Sequence, residues 1–171
     1  MRTPGICFPL AAYAGPVRRL LIFVIDLLFL IVVGSALSKA NEVWFNGHMA
    51  GPAVLIWLGA ALFYLIVVKA RVGTLGMWLP RTRIVDLFGQ PPSMWRMALR
   101  LFLCGWWWYS LFLIIDWAFI VQDLRGQTLR DKIAGTYIIR RDAHPTGKCP
   151  LVHYCHCVAG LVLTLPEVGS K

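Results

Sequence analysis

The run from Val17 to Leu37, VRRLLIFVIDLLFLIVVGSAL, constrains this chain more than any other part of it. Its roughly 21 residues, at about 1.5 Å of rise each, can cross a hydrocarbon core roughly 30 Å thick. Arg18 and Arg19 stand at its head, and Asp26 is the one charge near its middle. An ionisable side chain at mid-membrane costs on the order of 2.5–3.5 kcal/mol on insertion scales, so it turns toward protein or water rather than lipid. Arg19 and Asp26 lie within about 20° of each other around a helix and roughly 10 Å apart along it. The chain reads as an integral membrane protein with Asp26 facing inward.

Composition agrees. Of 171 residues, 58% are hydrophobic and 15% charged, which is too apolar for a soluble domain of that length. The net charge of +9 comes from short basic segments beside apolar runs. The positive-inside rule and anionic headgroups account for such segments, and no stacking-and-basic motif of a nucleic-acid reader is present. The expected partners are therefore the bilayer with its anionic headgroups and a second membrane chain, whether a copy or another protein, and not nucleic acid. Among the five cysteines, Cys7 and Cys104 have no evident partner, so no disulfide framework is expected. No removable signal peptide is expected, because the apolar run is long and Asp26 interrupts it.

Taken in order, residues 1–16 form an irregular lead-in punctuated by Pro4, Gly5, Pro9, Gly15 and Pro16. A polar connection from Ser38 to Pro52 follows the first span, and a second span covers Ala53 to Val68. From Lys69 to Arg100 there are six basic residues against one acid, Asp86, whereas Ser38–Pro52 carries no net charge. The charge rule puts the N-terminus and the Lys69–Arg100 segment in the cytoplasm and Ser38–Pro52 outside; the expected location is a bacterial cytoplasmic membrane. Arg83–Leu87 reads as a short strand ending in a turn at Phe88-Gly89, and Ser93 as the N-cap of a helix. A second short strand is expected over Gly135–Arg140.

The third apolar region, Met97 to Val121, leaves two readings open. A plain crossing would put Gln122–Lys148, with six basic residues against three acids, on the outside. A hairpin re-entering near Cys104-Gly105 keeps that segment inside, lets the two short strands pair, and sets Trp106–Trp108 as a bilayer anchor. In the tail, Leu151–Leu165 is read as an interfacial helix or a short fourth crossing. The fold class is thus an α-helical integral membrane protein. It has two transmembrane helices, a third embedded segment that re-enters or spans, and a small cytoplasmic strand pair. Its parts are a lead-in (1–16), a membrane domain (17–141) and a tail (142–171).

These residues together resemble the RDD family of membrane proteins, named for one arginine and two aspartates. Arg19 and Asp26 match its first helix. The stretch GTLGMWLPRTRIVDLFGQPPSMWRMALR, Gly73 to Arg100, is similar to its central segment, and TLRDKIAGTYIIRR, Thr128 to Arg141, to its closing motif. The resemblance makes Asp131 the second aspartate and implies transport of an unidentified ligand. Two departures stand out: Met77 where the family usually has Lys, and Arg130 where it commonly has His or Gly.

Asp26 can serve as a proton- or cation-binding carboxylate or as a buried packing charge, with Arg19 or Arg100 as its partner. Asp131 is either a solvated cap or a docking charge under Arg19 or Arg100. In the tail Cys149, His153, His156 and Cys157 would share one face of a helix, a thiolate and imidazole set that suits zinc or copper. No cofactor is otherwise expected. Nor is an enzyme, since Gly73-Thr74-Leu75-Gly76 lacks the Lys-Ser/Thr of a phosphate loop and no nucleophile–base pair is present. Three functions remain: an oligomeric carrier lined by Asp26 and Arg19, a membrane scaffold whose intramembrane charges serve packing, and a lipid- or metal-responsive regulator.

Overall fold

The computed structural model describes residues 4–105, 109–158 and 161–169. Pro16, in the first turn after an extended Gly15, starts α1 (Pro16–Phe45), where its fixed φ and missing N–H are harmless. The stretch read as a polar connection from Ser38 is helical as far as Phe45. The helix stops at Asn46, which takes a left-handed φ of 48°. Asn41 Oδ1 accepts the Met49 N–H at 3.0 Å, closing the link to α2 (Ala50–Phe63). The two helices approach closely at Gly34, where a Cβ would sit 2.9 Å from Trp57 Nε1. That indole N–H donates to the Leu30 carbonyl at 3.2 Å.

α2 runs into one π-helical turn, Tyr64–Val68, then α3 (Lys69–Arg71). Gly73 at φ 89° reverses the chain into α4 (Leu75–Trp78), which packs on α1. Both α1 and the segment Ala50–Trp78 are long and apolar enough to cross a membrane.

Beyond them, β2 (Thr82–Asp86) pairs antiparallel with β3 (Thr136–Arg140), with Ile84 opposite Ile138 and Val85 opposite Tyr137. The turn after β2 is fixed by Asp86 Oδ1, which accepts from the N–H groups of Phe88 and Gln90 at 2.9 Å each. Between the strands come α5 (Met94–Gly105), α6 (Tyr109–Gln122) and α7 (Leu129–Ala134). α5 and α6 pack on each other and both touch α7, so the chain leaves the strand pair along α5 and returns along α6. Trp106–Trp108 lie outside the described residues.

Strand alternation explains why so small a ribbon is stable. Ile84 and Ile138 point to one face and pack with Ala14, Ile22, Met77 and Met97 from the helices. Val85, Leu87, Tyr137 and Ile139 point to the other face and pack with Phe8, Tyr13, Cys149 and Val168. The second layer corrects the reading of both chain ends. The lead-in is not irregular: it forms β1 (Gly5–Cys7), which pairs with β4 (Gly147–Cys149). Cys7, expected to lack a partner, is joined to Cys149 by a disulfide.

The tail segment Leu151–Leu165 is neither an interfacial helix nor a crossing. It belongs to a hairpin of β5 (Leu151–Val158) and β6 (Leu161–Val168). Two runs with four Val, one Tyr and one Thr between them, separated by Ala159-Gly160, favour paired strands over a helix. The hairpin is not a loose appendage either. The Val168 N–H donates to Tyr137 Oη at 3.1 Å, and Glu167 pairs with the buried Lys132 at 2.7 Å. Burial pushes the Tyr137 phenol up to about 12.

Candidate functional site

Three carboxylates, each on a different helix, organise the charged interior. Asp26 on α1 is the first, and every group that meets it comes from the bend between α2 and α4. Lys69 Nζ pairs with Oδ2 at 2.8 Å, and Thr74 Oγ1 donates to the same oxygen at 2.9 Å. Tyr64 Oη and the Gly76 N–H donate to Oδ1 at 3.1 and 3.0 Å. The π-helical turn, a deviation often found at functional sites, carries Tyr64 and leads directly into Lys69. Only glycine fits at 76, since a Cβ there would run into the Ile22 carbonyl and come within 2.7 Å of Asp26 Oδ1.

This corrects the partner assigned from the sequence. Asp26 is held by Lys69, not by Arg19 or Arg100. Helical rotation aligns Arg19 with Asp26, but the 10 Å axial offset leaves them in different layers. Lys69 was legible as a basic residue after the second span, yet nothing in the linear sequence showed that the chain turns back there. Thr74 and Gly76 entered only as part of the family-like stretch and of a run that lacks the residues of a phosphate loop.

Asp131 is the second centre. It occupies the third position of α7, where it forms a reciprocal capping box with Thr128. Arg19 Nη1 donates to its Oδ2, and Arg100 Nη2 pairs with Oδ1 at 2.6 Å. Arg19 Nε also donates to the Ala14 carbonyl at 3.0 Å, and Arg100 Nη1 to Thr136 Oγ1 at 3.0 Å. Burial by itself would raise the Asp131 carboxyl, but Arg100, Arg19 and Arg130 outweigh it and hold the group well below the usual carboxylate range. The structure thus brings Arg19, Arg100 and Asp131 together and sets Asp26 apart. The third carboxylate, Asp116 on α6, is buried and pairs with Arg130 Nε at 2.9 Å.

The three centres surround one cavity of about 410 Å³ between α1, the π turn and α5–α7. Arg19, Asp26, Lys69, Arg100, Asp116 and Arg130 reach its wall, and leucines from α1 make much of the remainder. Met77, where the family usually has Lys, also lines it and is buried.

The RDD family model matches residues 13–135. The chain belongs to the RDD family. It is an RDD family membrane protein with two candidate spanning helices. The match takes in Arg19, Asp26 and Asp131, and it leaves out β1, β3 and the strands of the tail. No curated protein and no solved structure matches the chain.

The tail set does not assemble as the sequence suggested. Cys149 is committed to its disulfide with Cys7, and His153 lies on β5 rather than on a helix. His156 and Cys157 also fall in β5, but their side chains lie outside those described. Among the described residues, no three His, Cys, Asp or Glu side chains converge as a metal set.

Proposed function

We propose that this protein binds a small ligand in the charged cavity beside α1 and carries it across the membrane. The cavity itself carries the reading: a space of about 410 Å³, within the usual range for ligand sites, walled by charges on helices otherwise apolar. Flux of sodium, potassium, protons and inorganic phosphate into proteoliposomes tests it, comparing wild type with Leu101→Trp. That substitution fills the cavity without removing a charge. Flux of one of these ions that the tryptophan abolishes supports the carrier. Flux no greater than in protein-free vesicles for all four removes these ions as cargo.

A scaffold is the second reading, favoured by the full set of partners around Asp26 and by the two arginines on Asp131. Carboxylates so thoroughly satisfied fit packing charges better than a carboxylate that exchanges protons.

For the topology we propose that the N-terminus and the strand-built end are cytoplasmic and that α5–α6 re-enters from that side. Cysteines introduced at His48, Gln90 and Leu124 test it by labelling in intact cells. We expect only the one at His48 to react from outside. In this orientation the Cys7–Cys149 disulfide faces the cytoplasm, where disulfides are rare. Outside labelling at Leu124, together with an oxidised Cys7–Cys149 pair in quenched cells, would reverse the orientation.

A further inference from the structure

The charges around the cavity do not balance. Lys69 answers Asp26, and Arg130 answers Asp116, but Asp131 alone faces both Arg19 and Arg100. Among the described residues the cavity wall holds no carboxylate beyond Asp26 and Asp116. Of the chain's eight acids, Asp86 lies against Arg96, Asp142 pairs with Arg140, and Asp123 and Glu167 hold Lys132. Glu42 is exposed near the far end of α1. The arginine end of the cavity, Arg19, Arg100 and Arg130 against Asp116 and Asp131, thus holds one more cation than carboxylate, while the Lys132 cluster holds one more carboxylate than cation.

The geometry shows where an anion would meet the arginine end. Arg19 is 93% buried at its side chain; its Nη1 and Nε are committed, while Nη2 meets no acceptor among the described residues. Arg19 sits on the cavity wall with Arg100 and Arg130. From that end the wall continues along α1 as Leu20, Phe23, Leu27 and Leu30, one helical stripe. The stripe is about 15 Å long, half of a hydrocarbon core roughly 30 Å thick. Leu20 and Leu27 are still more than two-fifths exposed, so the stripe is open along its side. A basic floor at the head of a spanning helix, with an apolar groove one leaflet deep beside it, has the shape and charge of a lipid site.

We propose that the cavity takes an anionic phospholipid, its phosphate seated at the end where Arg19, Arg100 and Arg130 reach the wall and an acyl chain lying along Leu20–Leu30. The assignment rests on the cavity being a ligand site, as proposed above, and names the class of ligand. The phosphate supplies the missing negative charge, and the chain covers the open stripe. The lipid enters sideways from the leaflet that contacts the α1 N-terminus.

The test uses the full-length protein in a neutral detergent. Thermal unfolding is followed while phosphatidylglycerol, phosphatidylcholine or inorganic phosphate is titrated. Binding to the folded state raises the melting temperature with ligand concentration. Phosphatidylglycerol should give a saturable rise, and the other two should give none. Leu27→Trp, which blocks the stripe and alters no charge, should lose the rise. Leu55→Trp, on an exposed part of α2 away from the cavity, should keep it. Arg19→Lys keeps a cation beside Asp131 but loses the planar guanidinium fork that matches a phosphate, and should weaken the apparent affinity by about tenfold or more.

An equal rise with phosphatidylcholine, or an undiminished rise in Leu27→Trp, overturns the proposal. So does an equal rise with inorganic phosphate, which would make this a free-anion site. The two readings fail separately. Ion flux abolished by Leu101→Trp with no lipid response leaves the carrier standing and removes the lipid; a lipid response without ion flux leaves the lipid standing and removes the four ions as cargo.

Discussion

Asp26 and Asp131 are both buried carboxylates, yet they are held in opposite ways. Asp26 gathers one ammonium and three neutral donors, all supplied between residues 64 and 76. Asp131 gathers two guanidiniums, one from α1 and one from α5, and caps its own helix as well. An ammonium can shed its proton when left alone in a dry site, whereas a guanidinium cannot. Removing Asp26 thus strands one ammonium, and removing Asp131 strands two guanidiniums. The first fixes the bend after α2 against α1. The second fastens the strand-built end to two different helices.

The largest effect is expected where the charge cannot relax. Asp131→Asn leaves two buried guanidiniums facing each other, and breaking a buried pair by removing one partner costs about 3–5 kcal/mol. We expect the upper end of that range, against the lower end for Asp26→Asn, measured by unfolding in matched lipid or detergent. An Asp26→Asn loss as large as that of Asp131→Asn would erase the distinction. The pH dependence sharpens it. Because the Asp131 carboxyl is depressed in the folded state, its contribution is complete above its unfolded value near about 4 and is lost as pH falls toward the folded value. The gap between wild type and Asp131→Asn should stay constant from neutral pH down to about 4 and close only below that.

The contrast also explains what the sequence made legible. Arg19 and Asp26 stood out because charge is rare in and beside apolar runs, Arg100 because it lies near the start of the third such run, and Asp131 only through the resemblance to the family's closing motif. Strands at Ile84-Val85 and Ile138-Ile139 were readable from short β-branched runs bounded by turn residues, and they are the strands that pair. Partner choice was not readable, since it depends on where a chain turns back. A glycine with φ 89° at position 73 brings Thr74 and Gly76 onto Asp26, and helical periodicity carries no record of that reversal. The tail was misread because an apolar run of that length supports either period. What decides it is the bare face of Val85, Tyr137 and Ile139, which exists only once β2 and β3 are together.

A second, smaller effect probes the Asp26 cluster directly. Asp26→Asn strands Lys69 against the apolar wall, and Lys69→Met in the same chain removes the stranded charge. We expect the double variant to recover at least half of the single variant's loss in melting temperature, since an apolar replacement of a whole buried pair is often near neutral. Arg100→Met in place of Lys69→Met should recover nothing, because Arg100 belongs to Asp131. Rescue by Arg100→Met would show that the two clusters share their charges and are not separate centres.

The smallest effect concerns a single neutral donor. Tyr64 Oη gives its proton to Asp26 Oδ1 and accepts the Leu75 N–H at 3.0 Å, so it links the π turn to the start of α4. Tyr64→Phe removes both bonds and leaves the ring, which packs at 4.8 Å from Phe29. A hydrogen bond to a charged group contributes about 1.5–3 kcal/mol, but Lys69, Thr74 and Gly76 still hold the carboxylate. Leu75 is exposed, so water can take over its N–H. The expected loss is therefore only about 1 kcal/mol, read as a small fall in melting temperature. A fall matching Asp26→Asn would mean that the Tyr64 link, and not the Lys69 pair, holds the bend. No change at all would leave the π turn serving to aim Lys69, with the phenol adding nothing to a carboxylate already satisfied by its three other donors.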